Sequence, residues 1–136
     1  MSDIGLAGPA DRGAVEAART GSGGPVVAVV QDLFFVARIR ETARLVGASL
    51  TFARSPQELD AVLTPAPRFV LLDLTAGLDY EGLFATLERA RARVLAFTTH
   101  ALARQTQPWH DRCERVMTKE TLTRELSSLL GQGAGS

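Results

Sequence analysis

The sequence predicts an α/β protein, a doubly wound five-stranded parallel sheet with helices on both faces. Three observations carry this. Arg68-Phe69-Val70-Leu71-Leu72-Asp73-Leu74, introduced by Pro65-Ala66-Pro67, is the continuous apolar run expected of a strand buried on both faces. Other strand-like segments alternate with stretches whose apolar residues recur at helical spacing. Helix punctuation stands where that alternation needs it, with Gly47 after one helical stretch and Ser55-Pro56-Gln57-Glu58 before another.

In chain order, residues 1–25 are rich in Gly, Ala, Ser and Arg, with only Ile4, Leu6 and Val15 as sizeable apolar side chains, and read as a flexible lead-in. Gly21-Ser22-Gly23-Gly24 is no phosphate loop, because it precedes a strand instead of following one. The globular domain spans residues 26–130, and residues 131–136 are a polar tail. Val26 to Val30 is the first strand and ends in Gln31-Asp32. A helix follows, with Val36, Ile39, Ala43 and Val46 on its apolar side and Gly47 closing it. Ala48 to Ala53 alternates around Leu50 and Phe52, as a short strand near an edge does. Ser55 then caps a helix with Pro56 in its first turn and Glu58 placed to close a capping box. The strand bearing Asp73 leads through residues 75–80 to a helix carrying Leu83, Phe84, Leu87 and Ala90. Arg93 to Phe97 is a fourth strand, ending in Thr98-Thr99-His100. Between Ala101 and Asp111, Pro108 and Trp109 are expected to interrupt any helix, leaving Trp109 in a loop as a partner contact. Arg115 to Thr118 is a short fifth strand ending at Lys119, and Leu122, Leu126, Leu129 and Leu130 define a last amphipathic helix.

Composition narrows the function classes. Among 136 residues 46% are hydrophobic and 22% charged, and the formal net charge is +0. That balance gives no general attraction to nucleic acid or to an anionic membrane. A single cysteine, Cys113, leaves no internal disulfide, and no apolar run approaches the roughly 20 residues of a membrane span. With no secretory signal at the start, a cytoplasmic location is expected. His110 and Cys113, with His100 nearby, lack a second close-spaced pair and read as surface histidines and a small buried thiol. Arg89, Arg91 and Arg93 read as a solvated helix end.

The chemistry concentrates at the carboxyl ends of the strands, the edge at which open α/β sheets bind ligands. Gln31, Asp32, Asp73, Thr98 and Lys119 all stand there. Two carboxylates suit Mg²⁺, which takes oxygen ligands together with waters and phosphate oxygens. A carboxylate is also a nucleophile toward phosphorus, with an ammonium and a hydroxyl to offset charge on the transferred oxygens.

Gln31-Asp32, Leu71-Leu72-Asp73-Leu74, Ala96-Phe97-Thr98-Thr99-His100 and Met117-Thr118-Lys119, in that order, resemble the receiver domain of two-component response regulators. The resemblance covers Val26 to Leu130 and implies a flavodoxin-like sheet of receiver type. It implies that Asp73 is the phosphoacceptor and a metal ligand, that Asp32 is the metal-binding acid and that Thr75 ligates the metal through its carbonyl. It further implies that Thr98 senses the phosphoryl group and that Lys119 is the family's lysine. The partners implied are a histidine kinase or phosphotransfer protein and a downstream protein target. The sequence departs from the pattern at four places. Gln31 replaces a second acid and weakens Mg²⁺ binding, Val116 replaces the aromatic that turns inward on phosphorylation, Glu120 replaces a proline after Lys119, and Gly77 replaces another after the acceptor.

Three functions compete on these grounds. The first is a stand-alone receiver phosphorylated on Asp73 and signalling by protein contact. The second is a pseudo-receiver binding partners without phosphorylation, motivated by Gln31, Val116 and the missing prolines. The third is a flavodoxin-like nucleotide or flavin binder, disfavoured by the absence of a Gly- or Ser/Thr-rich loop after Val30.

Overall fold

A computed structural model describes residues 24–131, so most of the lead-in and all of the tail after Gly131 lie outside the described residues. The strands are β1 (Val26–Val29), β2 (Leu50–Phe52), β3 (Phe69–Asp73), β4 (Val94–Thr98) and β5 (Arg115–Thr118). They pair in parallel in the order β2-β1-β3-β4-β5. The helices are α1 (Leu33–Val46), α2 (Pro56–Val62), α3 (Tyr80–Arg89), α4 (Ala103–His110) and α5 (Lys119–Gly131), with a 3-10 turn at His100–Leu102. The expected doubly wound five-stranded sheet is therefore present, and β3 is its middle strand.

Two hydrophobic layers flank the sheet. Ile39 and Ala43 of α1 and Leu122, Leu126 and Leu130 of α5 pack with Val26, Ala28, Leu71 and Phe97 on one face. Leu59 of α2 and Leu83, Phe84 and Leu87 of α3 pack with Val27, Val29, Val70 and Leu72 on the other. Every residue of β3 is buried, as a strand covered on both faces must be. No described helix is long and apolar enough to cross a membrane.

Helix ends follow the local chemistry closely. Gly47 has φ of 74°, and the amides of Gly47 and Ala48 bond back to the carbonyls of Arg44 and Ala43, closing α1 with a left-handed cap that glycine adopts without a Cβ penalty. Ser55 Oγ accepts the Glu58 amide at 3.1 Å, and Glu58 returns by accepting the Arg54 amide at 2.8 Å, one residue outside the expected capping box.

The segment after β4 differs from expectation. α4 runs through Pro108 to His110 instead of breaking. Proline removes one backbone donor, freeing the carbonyl four residues earlier, but Arg104 and Pro108 both lie on the exposed side of the helix. Inward packing supplies what helix propensity lacks. Trp109 is half-buried, stacked on Phe84 (ring centroids 5.5 Å apart, planes within 10°) and 5.6 Å from Tyr80. It is a packing residue between α4 and α3, which corrects its reading as a partner contact in a loop. The strand-start Arg68 is also more than part of an apolar run. It is 9% exposed, and its guanidinium donates to the carbonyls of Gly24 (3.2 Å) and Leu130 (2.7 Å), tying the entry of β1 to the end of α5.

Cys113 is half-buried below Trp109, its thiol donating to the Trp109 carbonyl at 3.4 Å. Burial pushes that thiol from its ordinary 9.0 up to about 11. A raised value means the fold favours the protonated thiol. The associated stability is fully present below pH 9.0 and lost as pH rises through about 11. Reaction with an aromatic disulfide reagent is expected to be slow at neutral pH and to accelerate only in the alkaline range, as absorbance of the released thiolate will report. Fast labelling at pH 7 in the folded protein would contradict this placement.

Candidate functional site at the carboxyl edge of the sheet

Asp73 is the last residue of β3 and 4% exposed. Its Oδ1 accepts two hydrogen bonds from Thr75, one from the amide at 2.7 Å and one from the hydroxyl at 2.6 Å. This turn ends the strand and fixes the carboxylate plane. Among the described residues Oδ2 has no hydrogen-bond partner. Behind the carboxylate the phenol of Tyr80 donates to the Asp73 carbonyl at 2.7 Å and accepts the Ala76 amide at 3.0 Å, which pins the loop between β3 and α3. Burial pushes the Tyr80 phenol above its ordinary value, so it remains a donor.

Asp32 caps α1. Its Oδ1 accepts the amides of Phe34 (2.9 Å) and Phe35 (3.2 Å), and its Oδ2 accepts Lys119 Nζ at 3.0 Å. The Lys119 hydrogen bond, then the Phe35 amide, hold the carboxyl below its ordinary value. Its carboxylate thus occupies the helix N-terminal amides that a phosphate loop would leave open, which is a physical argument against nucleotide or flavin binding at this position. Lys119 begins α5, where a cation opposes the helix dipole. Thr118 Oγ1 accepts the Thr121 amide there at 3.1 Å, and the Lys119 ammonium lies between Asp32 Oδ2 and the Phe35 ring, 4.9 Å from its centroid.

Thr98 ends β4, one residue beyond Phe97, the register partner of Asp73. It is 4% exposed, and its hydroxyl lies 3.0 Å from that of Thr106 on α4. Thr106 Oγ1 in turn lies 2.8 Å from His110 Nε2. The sequence-predicted residues thus stand at this edge as three separately bonded groups: Asp73 with Thr75, Asp32 with Lys119, and Thr98 with Thr106. Among the described residues no hydrogen bond or ion pair joins Asp73 directly to Asp32, Thr98 or Lys119. Sequence reasoning missed Tyr80, Thr106 and His110 as neighbours of the site. Helical spacing from Thr106 to His110 was the only available signal, and it was hidden once the segment was read as a loop.

The donors present suit Mg²⁺ in kind, being the oxygens of Asp32 and Asp73 with the Thr75 carbonyl. Charge is short, because no group of three His, Cys, Asp or Glu able to hold a metal occurs among the described residues. The Lys119 ammonium already neutralises Asp32.

Beside Asp32 an open groove of about 810 Å³ runs between α1 and α5, lined by Phe34, Phe35, Arg38, Lys119 and Thr123 among others. Phe34 is 91% exposed and Leu33 80%.

No protein-family model and no curated protein matches the sequence. Solved structures do match in fold. The receiver domain of NtrX from Brucella abortus is 15% identical, with a TM-score of 0.63 over 82% of this chain and 98% of that one. The chemotaxis response regulator CheY4 of Vibrio cholerae is 16% identical, with a TM-score of 0.62 over 81% and 98%. A response regulator receiver domain protein from Clostridium thermocellum is 13% identical, with a TM-score of 0.61 over 82% and 94%. The chain has the receiver-domain fold, at identities too low to carry more than fold.

Proposed function

We propose that this chain is a receiver-type signalling domain that accepts a phosphoryl group on Asp73 from a histidine kinase or phosphotransfer protein and passes the signal on by protein contact. The observation that carries the reading is the asymmetry of the Asp73 carboxylate. Oδ1 is held by two bonds from Thr75, while Oδ2 has no hydrogen-bond partner among the described residues at the edge where ligands bind. Oδ2 attacks phosphorus, a new P–O bond forms, and the bond to the leaving group breaks with its electron pair departing on that group. Lys119 serves the transferred oxygens by swinging its flexible stem away from Asp32, and the Thr98 hydroxyl donates to them. Asp32, Asp73 and the Thr75 carbonyl would hold Mg²⁺, and that ion, when bound, supplies charge neutralisation to the phosphoryl oxygens. Phe34, exposed at the α1–α5 groove, offers the apolar contact that a partner protein needs.

The test is incubation of the full chain with Mg²⁺ and acetyl phosphate, read by intact mass and by lability of the adduct. One acid-stable, base-labile phosphoryl group is expected in the wild type and none in Asp73→Asn. Asparagine keeps an oxygen for the two Thr75 bonds, so the variant should fold and the comparison is clean. If both proteins remain equally unmodified, Asp73 is not a phosphoacceptor.

One set of contacts favours the pseudo-receiver reading. Both Asp32 oxygens are already satisfied, by the Phe34 and Phe35 amides and by Lys119, with no second acid at Gln31. In that case partner binding survives Asp73→Ala, and a partner lost with that change excludes it.

A further inference from the structure

Thr106 is 5% exposed, and its hydroxyl faces three partners with one proton to give. They are His110 Nε2 at 2.8 Å, Thr98 Oγ1 at 3.0 Å and the Ala103 carbonyl at 3.2 Å. The carbonyl only accepts. Thr98 either donates or accepts, and so does His110 Nε2, according to where the imidazole proton sits.

Three arrangements satisfy the Thr98–Thr106–His110 line. In the first, Nε2 carries no proton and takes the Thr106 proton. The Thr98 hydroxyl then donates to Thr106, turned away from the pocket between the neighbouring strand ends of Asp73 and Thr98 and leaving only lone pairs to it. In the second, Nε2 carries the proton and donates to Thr106, Thr106 donates to Thr98, and the Thr98 proton is released toward the pocket. In the third, Nε2–H and Thr98 both donate to Thr106, which donates to the Ala103 carbonyl, and Thr98 is turned as in the first. A neutral or empty pocket tolerates any of the three. An anionic oxygen beside Asp73 requires the second, because a lone pair aimed at it repels.

We infer that Thr98, Thr106 and His110 form a hydroxyl relay in which a proton on His110 Nε2 is required for Thr98 to meet the pocket as a donor. His110 is thereby a positioning residue, acting on the pocket through Thr106. The coupling is reciprocal: what arrives at the pocket sets the state of His110. It deepens the proposed function in one respect, since the anionic oxygen is that of the phosphoryl group on Asp73; the relay itself stands on the three side chains.

α4 is also the right element to receive such a signal. Trp109, adjacent to His110, packs against Tyr80, whose phenol holds the Asp73 carbonyl, so the helix touches the site by two routes. Val116 leaves no aromatic on β5 to do this work.

The experiment uses the ¹⁵N-labelled 136-residue chain carrying His100→Gln, which leaves His110 as its only histidine. Its imidazole nitrogen shifts report donor and acceptor states. Thr106→Val, which removes the contacting hydroxyl, and Thr98→Val, which removes one that reaches His110 only through Thr106, are both expected to displace those signals, and Thr98→Ser to restore them. Mg²⁺ with acetyl phosphate is expected to displace them too, and that response to be lost in Thr106→Val and Asp73→Asn. A His110 that responds to Thr106→Val but ignores Thr98→Val overturns the relay. So does an adduct on Asp73, seen by mass, that leaves His110 unmoved. A His110 that follows Thr98→Val in a protein that takes no phosphoryl group supports the relay and removes the phosphoacceptor reading instead.

Discussion

Lys119→Gln is expected to slow modification of Asp73 by acetyl phosphate by about 10²–10³-fold, the loss typical of removing one charged group that stabilises a transition state. Glutamine spans a similar distance and donates a hydrogen bond, but it carries no charge to set against the developing phosphoryl oxygens. The fold should hardly notice. Lys119 and Asp32 are partly exposed, 37% and 41% by side chain, and pairs of that kind contribute little to stability. Acid titration separates the two roles. Lys119, together with the Phe35 and Phe34 amides, holds the Asp32 carboxyl below its ordinary value. A lowered folded value contributes stability that is present above the unfolded carboxylate range and lost as pH falls through the folded value. Removing Lys119 leaves only the amides to lower it, so the acid limb of the stability curve should flatten. A variant with that flattened limb and an unchanged modification rate would show that Lys119 serves only to neutralise the cap of α1.

The sequence and the structure agree where a local pattern and a tertiary requirement coincide. β3 was legible because burial on both faces demands an unbroken apolar run, and the same logic put its one acid at the open end. Ser55-Pro56-Gln57-Glu58 was legible because capping is a matter of neighbours within four residues, and even there the Glu58 bond went to Arg54 instead of Ser55. Asp32 was placed at the site edge as a metal ligand, while its bonds to Phe34 and Phe35 show an N-cap, a role equally visible in its position before the helix. The failures share one cause. α4 holds a proline that local propensity reads as a break, and it is helical because Thr106 and Trp109 face inward against β4 and α3. Propensity is a weak prior that packing overrides, and no spacing rule brings Trp109 onto Phe84, 25 residues earlier in the chain. Arg68 is illegible for the same reason: among its acceptors are backbone carbonyls 44 and 62 residues away.

That dependence of α4 on packing makes Phe84→Ala the substitution with the largest expected cost in stability, about 3–5 kcal/mol for truncating a buried phenylalanine. Phe84 is wholly buried between α3 and the sheet, and it is the surface on which Trp109 stacks. The Arg112 guanidinium also lies over its ring, 5.0 Å from the centroid, while pairing with Glu88 at 2.8 Å. Loss of the ring leaves a cavity where three partners meet, and α4 has no strong propensity of its own to close it. A small domain has only about 5–15 kcal/mol in total, so the variant should unfold at a much lower urea concentration. Trp109 should report it directly, since it is the only tryptophan in the chain and its emission will move to the red as it leaves the Phe84 face. Phe34→Ala is the matched control: its ring is 91% exposed on α1, and its removal should stay within about 0.5 kcal/mol of wild type. A Phe84→Ala midpoint as close to wild type as that of Phe34→Ala would mean that Trp109 and α4 hold their place without this ring. The second route from the pocket to α4, through Tyr80 and Trp109, would then have no rigid backing.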